Sequence, residues 1–200
     1  IAAAPSSDAP AKLRRAGAVM RNVDVWEISS NDTWSRDFGP ITVFRGRRPL
    51  LLDFGFNGWG LKFPADRDNQ ITSRLHKFGV FGRTAIVRPG LILEGGSIES
   101  DGRGTILTTS ECLLSPNRNP HLPKIEIEKE LRRRLGARRL LWLDQGALAG
   151  DDTDSHIDTL ARFCPNDTIA YVACPDRRDK HFVSLDKMRR QLERFRTQSG

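Results

Sequence analysis

The chain has 200 residues, 38% of them apolar, with a formal charge of +7 and three cysteines. It is long enough to bury a core and holds no apolar run of the length a membrane-spanning helix needs. The positive charge gathers in arginine clusters (132–134, 138–139, 177–178 and 187–196) that read as solvated helix faces, with no interleaved aromatics or reader motif, which argues against nucleic acid.

In chain order, an extended run at 23–28 leads into the loop 31–40. Strands at 41–45 and 50–54 flank the turn Gly46-Arg47-Arg48. A helix is expected over 66–78, where Ile71, Leu75 and Phe78 share a face and Gly79 stops it. Glu94-Gly95-Gly96 precedes a second hairpin, with strands 97–100 and 105–109 around the turn 101–104. A helix over 124–135 places Ile127, Leu131 and Leu135 four apart, with glutamates early, arginines late and Gly136 as terminator. An extended run at 139–143 precedes a third hairpin, 159–164 and 168–174, turning at Pro165-Asn166-Asp167. Phe182, Leu185, Met188, Leu192 and Phe195 form one stripe of a helix over 181–196. The three hairpins follow one plan, roughly sixty residues apart, so they read as structural repeats in a single α/β unit spanning 1–200.

Chemistry concentrates before the hairpins. The stretch 150–158 packs four aspartates and His156 into nine residues, and strand alternation there would aim His156 and Asp158 at one face. The loop 31–40 combines Trp34, Arg36, Asp32 and Asp37. Tryptophan and carboxylates suit a planar cation, although an Arg36–aspartate pair beside a core tryptophan would explain the same residues. The cysteines Cys112, Cys164 and Cys174 lack CxxC spacing, which fits a reducing, cytoplasmic setting. Gly102-Arg103-Gly104-Thr105 lies in a hairpin turn and not at a strand-to-helix junction, so no phosphate loop and no organic cofactor is implied.

NDTWSRDFGP at 31–40, DFGFNGWG at 53–60, LEGGSIESDGRGT at 93–105, TTSECLLSPNRNPH at 108–121 and GDDTDSHIDTLARF at 150–163 resemble, in the same order, the blocks of agmatine deiminases within the bacterial peptidyl-arginine deiminase family. The resemblance implies the pentein fold, a five-bladed α/β propeller of which about three blades are present, with the domain incomplete at both ends. It implies a hydrolase that converts agmatine to N-carbamoylputrescine and ammonia in polyamine metabolism. By the same resemblance Asp37 and Asp158 clamp the guanidinium, His156 is the general acid and base, Trp34 and Asp152 line the substrate pocket, and Glu94 sits with Gly95-Gly96 at a channel-facing turn. A small guanidine is then the partner, without nucleic acid, membrane or metal, and a homo-oligomer is compatible with the reading.

The family's nucleophilic cysteine lies near its C-terminus in a glycine-rich stretch, and no cysteine of this chain matches it. Simple hairpin registration sets Cys174 roughly opposite Asp158, yet a buried strand cysteine is the expected role. Ser155 stands where the family often has glycine, and Ile1 opens the chain, which is read as a piece of a longer protein. Alternatives remain. Arginine or peptidyl arginine would need Arg36 or Arg118 for a carboxylate, an amidinotransferase would need an amine acceptor, and the isolated piece would be an inactive binding module. A metal-binding module on Asp151, Asp152, Asp154, His156 and Asp158 lacks the calcium-loop glycine and glutamate, and a zinc site lacks a second histidine nearby, His121 and His181 lying elsewhere.

Overall fold

The computed structural model describes residues 2–3 and 8–196. Strands β1 (Ala2–Ala3) and β2 (Trp26–Glu27) pair in parallel on either side of helix α1 (Ala9–Arg15). After the short helix α2 (Ser35–Phe38), β3 (Ile41–Arg45) and β4 (Arg48–Leu52) form an antiparallel hairpin. The turn α3 (Gly58–Leu61) and helix α4 (Ile71–Lys77) then lead to β5 (Ala85–Val87), which pairs in parallel with β4.

The same order recurs with β6 (Ile98–Ser100) and β7 (Thr105–Thr109), the helices α5 (Ser110–Leu113) and α6 (Lys124–Leu135), and β8 (Arg139–Leu143) parallel to β7. A third hairpin, β9 (Ala161–Cys164) and β10 (Thr168–Tyr171), is followed by α7 (Phe182–Leu192). The architecture is α/β, as the alternating patterns predict. The parallel strand β5 was not foreseen, being only three residues long.

A parallel partner requires a crossover, and a helix supplies it in each module. The second strand of each complete module is central: β7 is buried along its whole length and β4 over 50–52, whereas β3 on the edge keeps exposed positions. Helix α6 shows why these residues form this element. Ile127 and Leu131 face the core, Arg132, Arg133 and Arg134 sit at the negative end of the helix dipole, and Gly136 closes it in the left-handed conformation at φ 69°, its N–H donating to the Arg132 carbonyl. The indole of Trp142 on β8 donates to Glu128 at 2.9 Å and fixes helix on sheet.

Several expected boundaries shift: the helix expected over 66–78 is α4 only from Ile71 to Lys77, the strand expected over 50–54 runs from Arg48 to Leu52, and the one expected over 168–174 ends at Tyr171. The last helix ends at Leu192, where the chain turns at Glu193 and Arg194, so Phe195 packs from beyond the helix. His156 and Asp158 are not on a strand, because 157–159 forms a 3-10 turn, Leu160 donating to the Ile157 carbonyl, and β9 begins only at Ala161.

Candidate active site

Each hairpin is preceded by one short helical turn, and the three turns meet. Helix α2 carries Asp37, the 3-10 turn Gly95–Ser97 follows Glu94, and the 3-10 turn Ile157–Thr159 follows His156 and carries Asp158. Repetition of one module thus delivers a polar group from each repeat to a common point. Side-chain bonds pin the turns to the sheet: Thr108 donates to the Ser97 carbonyl and Thr109 to the Ser155 carbonyl, both at 2.7 Å.

Gly96 lies at the centre. A Cβ built there would stand 2.6 Å from His156 Nδ1, 2.7 Å from Asp37 Oδ1 and 2.8 Å from Asp158 Oδ2, so the three predicted functional side chains converge on Gly96 closely enough that only glycine fits. Its N–H donates to Asp37 Oδ1 at 2.8 Å, while the Trp59 indole donates to Oδ2 at 2.9 Å. Both carboxylate oxygens of Asp37 are therefore held, and each keeps a lone pair for a further donor.

His156 is buried between two sets of carboxylates. Its Nε2 lies 3.1 Å from Glu94 Oε2, and its Nδ1 lies 3.7 Å from Asp37 Oδ1 and 3.9 Å from Asp158 Oδ1. Burial would favour a neutral Glu94, but the His156 bond and the Arg118 guanidinium outweigh it and hold the carboxyl below its ordinary range. An ionised Glu94 only accepts, so the proton of a neutral imidazole is assigned to Nε2 and the Nδ1 lone pair faces Gly96. On the other wall, burial pushes the Asp158 carboxyl up, with Asp37 adding to it and His156 and Arg36 opposing.

Arg118 is the residue behind the site. Fully enclosed, it reaches Glu94 through Nε at 2.8 Å, Asp154 through Nη1 at 2.6 Å and the Thr153 carbonyl through Nη2 at 2.9 Å. Lys62 extends the chain of charges, pairing with Asp154 and donating to the Asp152 carbonyl at 2.8 Å. Each of its three nitrogens has a partner inside the protein and its side chain is closed to solvent, so Arg118 is built into the wall behind the site. Arg36 is exposed on α2.

The remaining candidates lie further out. Trp34 is 62% exposed and Asp152 is exposed, neither joining the group around Gly96. Glu94 is closed off from solvent and touches His156, Arg118 and the Cys112 thiol, not the open space. Asp151 is consumed by the backbone N–H groups of Thr153 and Ser155, and Asp154 by Lys62 and Arg118, so the aspartate-rich loop does not assemble a cation site. Ligand atoms of Glu94, Cys112 and His156 do lie within 4.8 Å of one another, but the Arg118 guanidinium already supplies the positive charge there.

No thiol reaches the space beside Gly96. Cys112 lies behind Glu94, 3.7 Å from Oε2, and burial pushes its thiol well above the ordinary range. The β9–β10 register continues from Tyr171–Ala161 through a Val172 N–H bond to the Leu160 carbonyl, as the turn-based registration predicts, but Cys174 packs against the buried cluster that includes Leu160, Leu185 and Met188, and its thiol lies 3.5 Å from the Asp176 carbonyl. Trp59, Lys62 and the structural use of Arg118 were not singled out from sequence. The signal for Trp59 and Arg118 is the wording of the blocks 53–60 and 108–121, and Lys62 lies in neither.

The family model described as Porphyromonas-type peptidyl-arginine deiminase matches residues 2–200. The agmatine deiminase of Pseudomonas aeruginosa (strain UCBPP-PA14) is 38% identical over 185 residues, which cover 90% of this chain and 50% of that protein. Among solved structures, a C. jejuni agmatine deiminase with substrate bound superposes with a TM-score of 0.86 at 41% identity, covering 96% of this chain and 56% of that one. The agmatine deiminase of Enterococcus faecalis gives a TM-score of 0.83 at 31% identity, covering 97% and 54%. The chain spans about half the length of the curated relatives it matches. With the family model matching from end to end and the sheet modules superposing on these structures, the chain belongs to the Porphyromonas-type peptidyl-arginine deiminase family.

Proposed function

We propose that this chain supplies the guanidinium clamp and the acid–base group of an agmatine deiminase, a hydrolase that takes agmatine and water to N-carbamoylputrescine and ammonia. The observation that carries the reading is the convergence of Asp37, His156 and Asp158 on Gly96. Two carboxylates facing one small space suit a planar cation rich in N–H donors. The three modules are then successive blades of a five-bladed propeller, with the space beside Gly96 facing its channel.

In this mechanism a thiolate from a cysteine other than Cys112, Cys164 and Cys174 adds to the guanidinium carbon, forming the C–S bond. Asp37 and Asp158 keep the guanidinium plane fixed and stabilise the positive charge on its nitrogens. His156, protonated, gives its Nδ1 proton to the leaving nitrogen, and the C–N bond breaks to release ammonia. The same nitrogen then takes a proton from water as it attacks, and as the C–S bond breaks to return the thiolate the new hydroxyl loses its proton to solvent, where ammonia takes it up, leaving the ureido carbonyl. Glu94 holds the ring from behind throughout, offsetting the charge of the imidazolium.

Agmatine is preferred over arginine because Arg118, one of the two arginines available for a carboxylate, is closed to solvent and already paired with Glu94 and Asp154. Asp152 and Trp34, at the exposed side, are assigned to the amine and the methylene chain. The test is to express the polypeptide of the whole gene and measure ureido product from agmatine, arginine and a blocked arginine peptide. Agmatine should be fastest, and His156→Ala should abolish turnover. Product formed equally well by His156→Ala would overturn the mechanism.

A further inference from the structure

The turn α3 is left-handed. Gly58, Trp59, Gly60 and Leu61 all have positive φ, at 71°, 56°, 81° and 68°, and the N–H groups of Leu61 and Lys62 close helical bonds to the carbonyls of Asn57 and Gly58 at 3.0 Å. For the glycines this conformation is free of steric cost, but for Trp59 and Leu61 it is strained. Burial of Leu61 does not offset it, because that side chain is largely exposed. Strain of this kind persists where surrounding structure holds it, and it clusters at sites of function.

What the turn holds is visible at its two ends. The Trp59 ring is caught edge-on between Phe56, at 5.0 Å and 87°, and Phe63, at 5.7 Å and 85°, which leaves its N–H aimed at Asp37 Oδ2. One residue beyond the turn, Lys62 grips the Asp152 carbonyl and the Asp154 carboxylate. Gly60 lies against the same network, since a Cβ there would stand 3.1 Å from Arg118 Nη1. A carboxylate that receives a guanidinium side-on must keep its plane aligned with the cation. In Asp37 that plane is set by two N–H groups from two separate elements, Gly96 on one oxygen and Trp59 on the other.

We propose that the left-handed turn Gly58–Leu61 is a positioning device for the guanidinium clamp, and that Trp59 is a positioning residue that fixes the Asp37 carboxylate through its indole N–H. The proposal rests on the deiminase reading. Removing the N–H frees one carboxylate oxygen to rotate, which weakens recognition of the guanidinium and leaves the amine end of the pocket as it was.

The experiment compares the polypeptide of the whole gene with Trp59→Phe and with β-(3-benzothienyl)alanine introduced at position 59 by nonsense suppression. The second replacement keeps the bicyclic ring and loses only the N–H, so it serves if the phenylalanine variant misfolds. Measured are KM and kcat for agmatine and the inhibition constant of 1,4-diaminobutane, which has the amine and no guanidinium. The expected result is a KM raised on the order of ten-fold, the cost of one hydrogen bond to a charged acceptor, with the diamine inhibition constant unchanged. Unchanged KM in both variants overturns the proposal while the deiminase reading stands. Equal weakening of agmatine and diamine also overturns it, since that is collapse of the pocket. A wild-type protein that turns over no guanidine removes the deiminase reading and this proposal with it.

Discussion

His156 Nε2 stands 3.1 Å from Glu94 Oε2 in a space closed to solvent, and Arg118 Nε donates to the same oxygen at 2.8 Å and to Oε1 at 3.1 Å. Replacing Glu94 with glutamine keeps the volume and leaves Arg118 with Asp154 as its one remaining carboxylate. The expected cost is about 3 kcal/mol, as for a broken buried ion pair, read from urea unfolding at neutral pH.

The pH dependence of the same variant has a definite sign. The folded-state carboxyl of Glu94 is depressed, so its contribution is present above the unfolded value and is lost as pH falls through the folded one. Asp158 acts oppositely. Burial raises its carboxyl, so its contribution favours folding at low pH and is lost as pH rises through the folded value. Wild-type stability should therefore fall more steeply than that of Glu94→Gln as pH drops below about 5, where the unfolded-state carboxyl begins to take up its proton. Parallel unfolding curves across that range would show that Glu94 is not held ionised by its neighbours.

Gly96→Ala tests the centre of the site. The new methyl would lie 2.6–2.8 Å from His156, Asp37 and Asp158, so either the side chains or the turn must move. Displacements of that size at a reacting centre cost about 100-fold in turnover, and overpacking costs about 1–3 kcal/mol in stability. Gly102→Ala, at φ 68° in the β6–β7 turn with no atom within 4 Å of its Cβ, is the control. It should cost about 1 kcal/mol from backbone strain and leave turnover intact. Full agmatine activity in Gly96→Ala would mean that the space beside Gly96 is not where the guanidinium sits.

How much of this was legible in the sequence depends on range. Hairpins and helix α6 follow from local periodicity and terminators, and α6 runs over the expected residues. Asp37, His156 and Asp158 came from the block wording, and the structure brings them together, though by a 3-10 turn where alternation suggested a strand. Arg118 and Trp59 escaped because their roles are contacts at long separation, Arg118 with Glu94 twenty-four residues away and Trp59 with Asp37 twenty-two away, which no local pattern encodes. The left-handed turn escaped for another reason. Gly-Trp-Gly-Leu reads as a loose glycine loop, and only the packing of Trp59 between Phe56 and Phe63 selects one conformation.

Leu61→Gly measures the strain in that turn. Leu61 is 71% exposed at φ 68°, so little burial is lost by truncation. Left-handed geometry costs a non-glycine residue about 1–2 kcal/mol, while glycine adds about 0.5–1 kcal/mol of unfolded-state entropy. The net expectation is a gain of about 0.5 kcal/mol in thermal or urea unfolding, where leucine-to-glycine at an ordinary exposed position would lose stability. A clear loss would show that the Leu61 side chain stabilises the turn by contacts of its own.

The three cysteines should separate by reactivity. Cys164 and Cys174 are partly exposed, while Cys112 is buried beside the Glu94 carboxylate, and burial, reinforced by Glu94 and Asp154 against Arg118, pushes its thiol well above the ordinary range. Only a thiolate attacks Ellman's reagent, and only where the reagent reaches it. In the native protein at about pH 8, Cys164 and Cys174 should react within minutes and Cys112 only after unfolding. Cys112→Ala should then leave the native thiol titre unchanged and reduce the denatured one. A native titre that falls in Cys112→Ala would place a reactive thiolate directly behind Glu94, and the division of labour between His156 and an outside nucleophile would have to be redrawn.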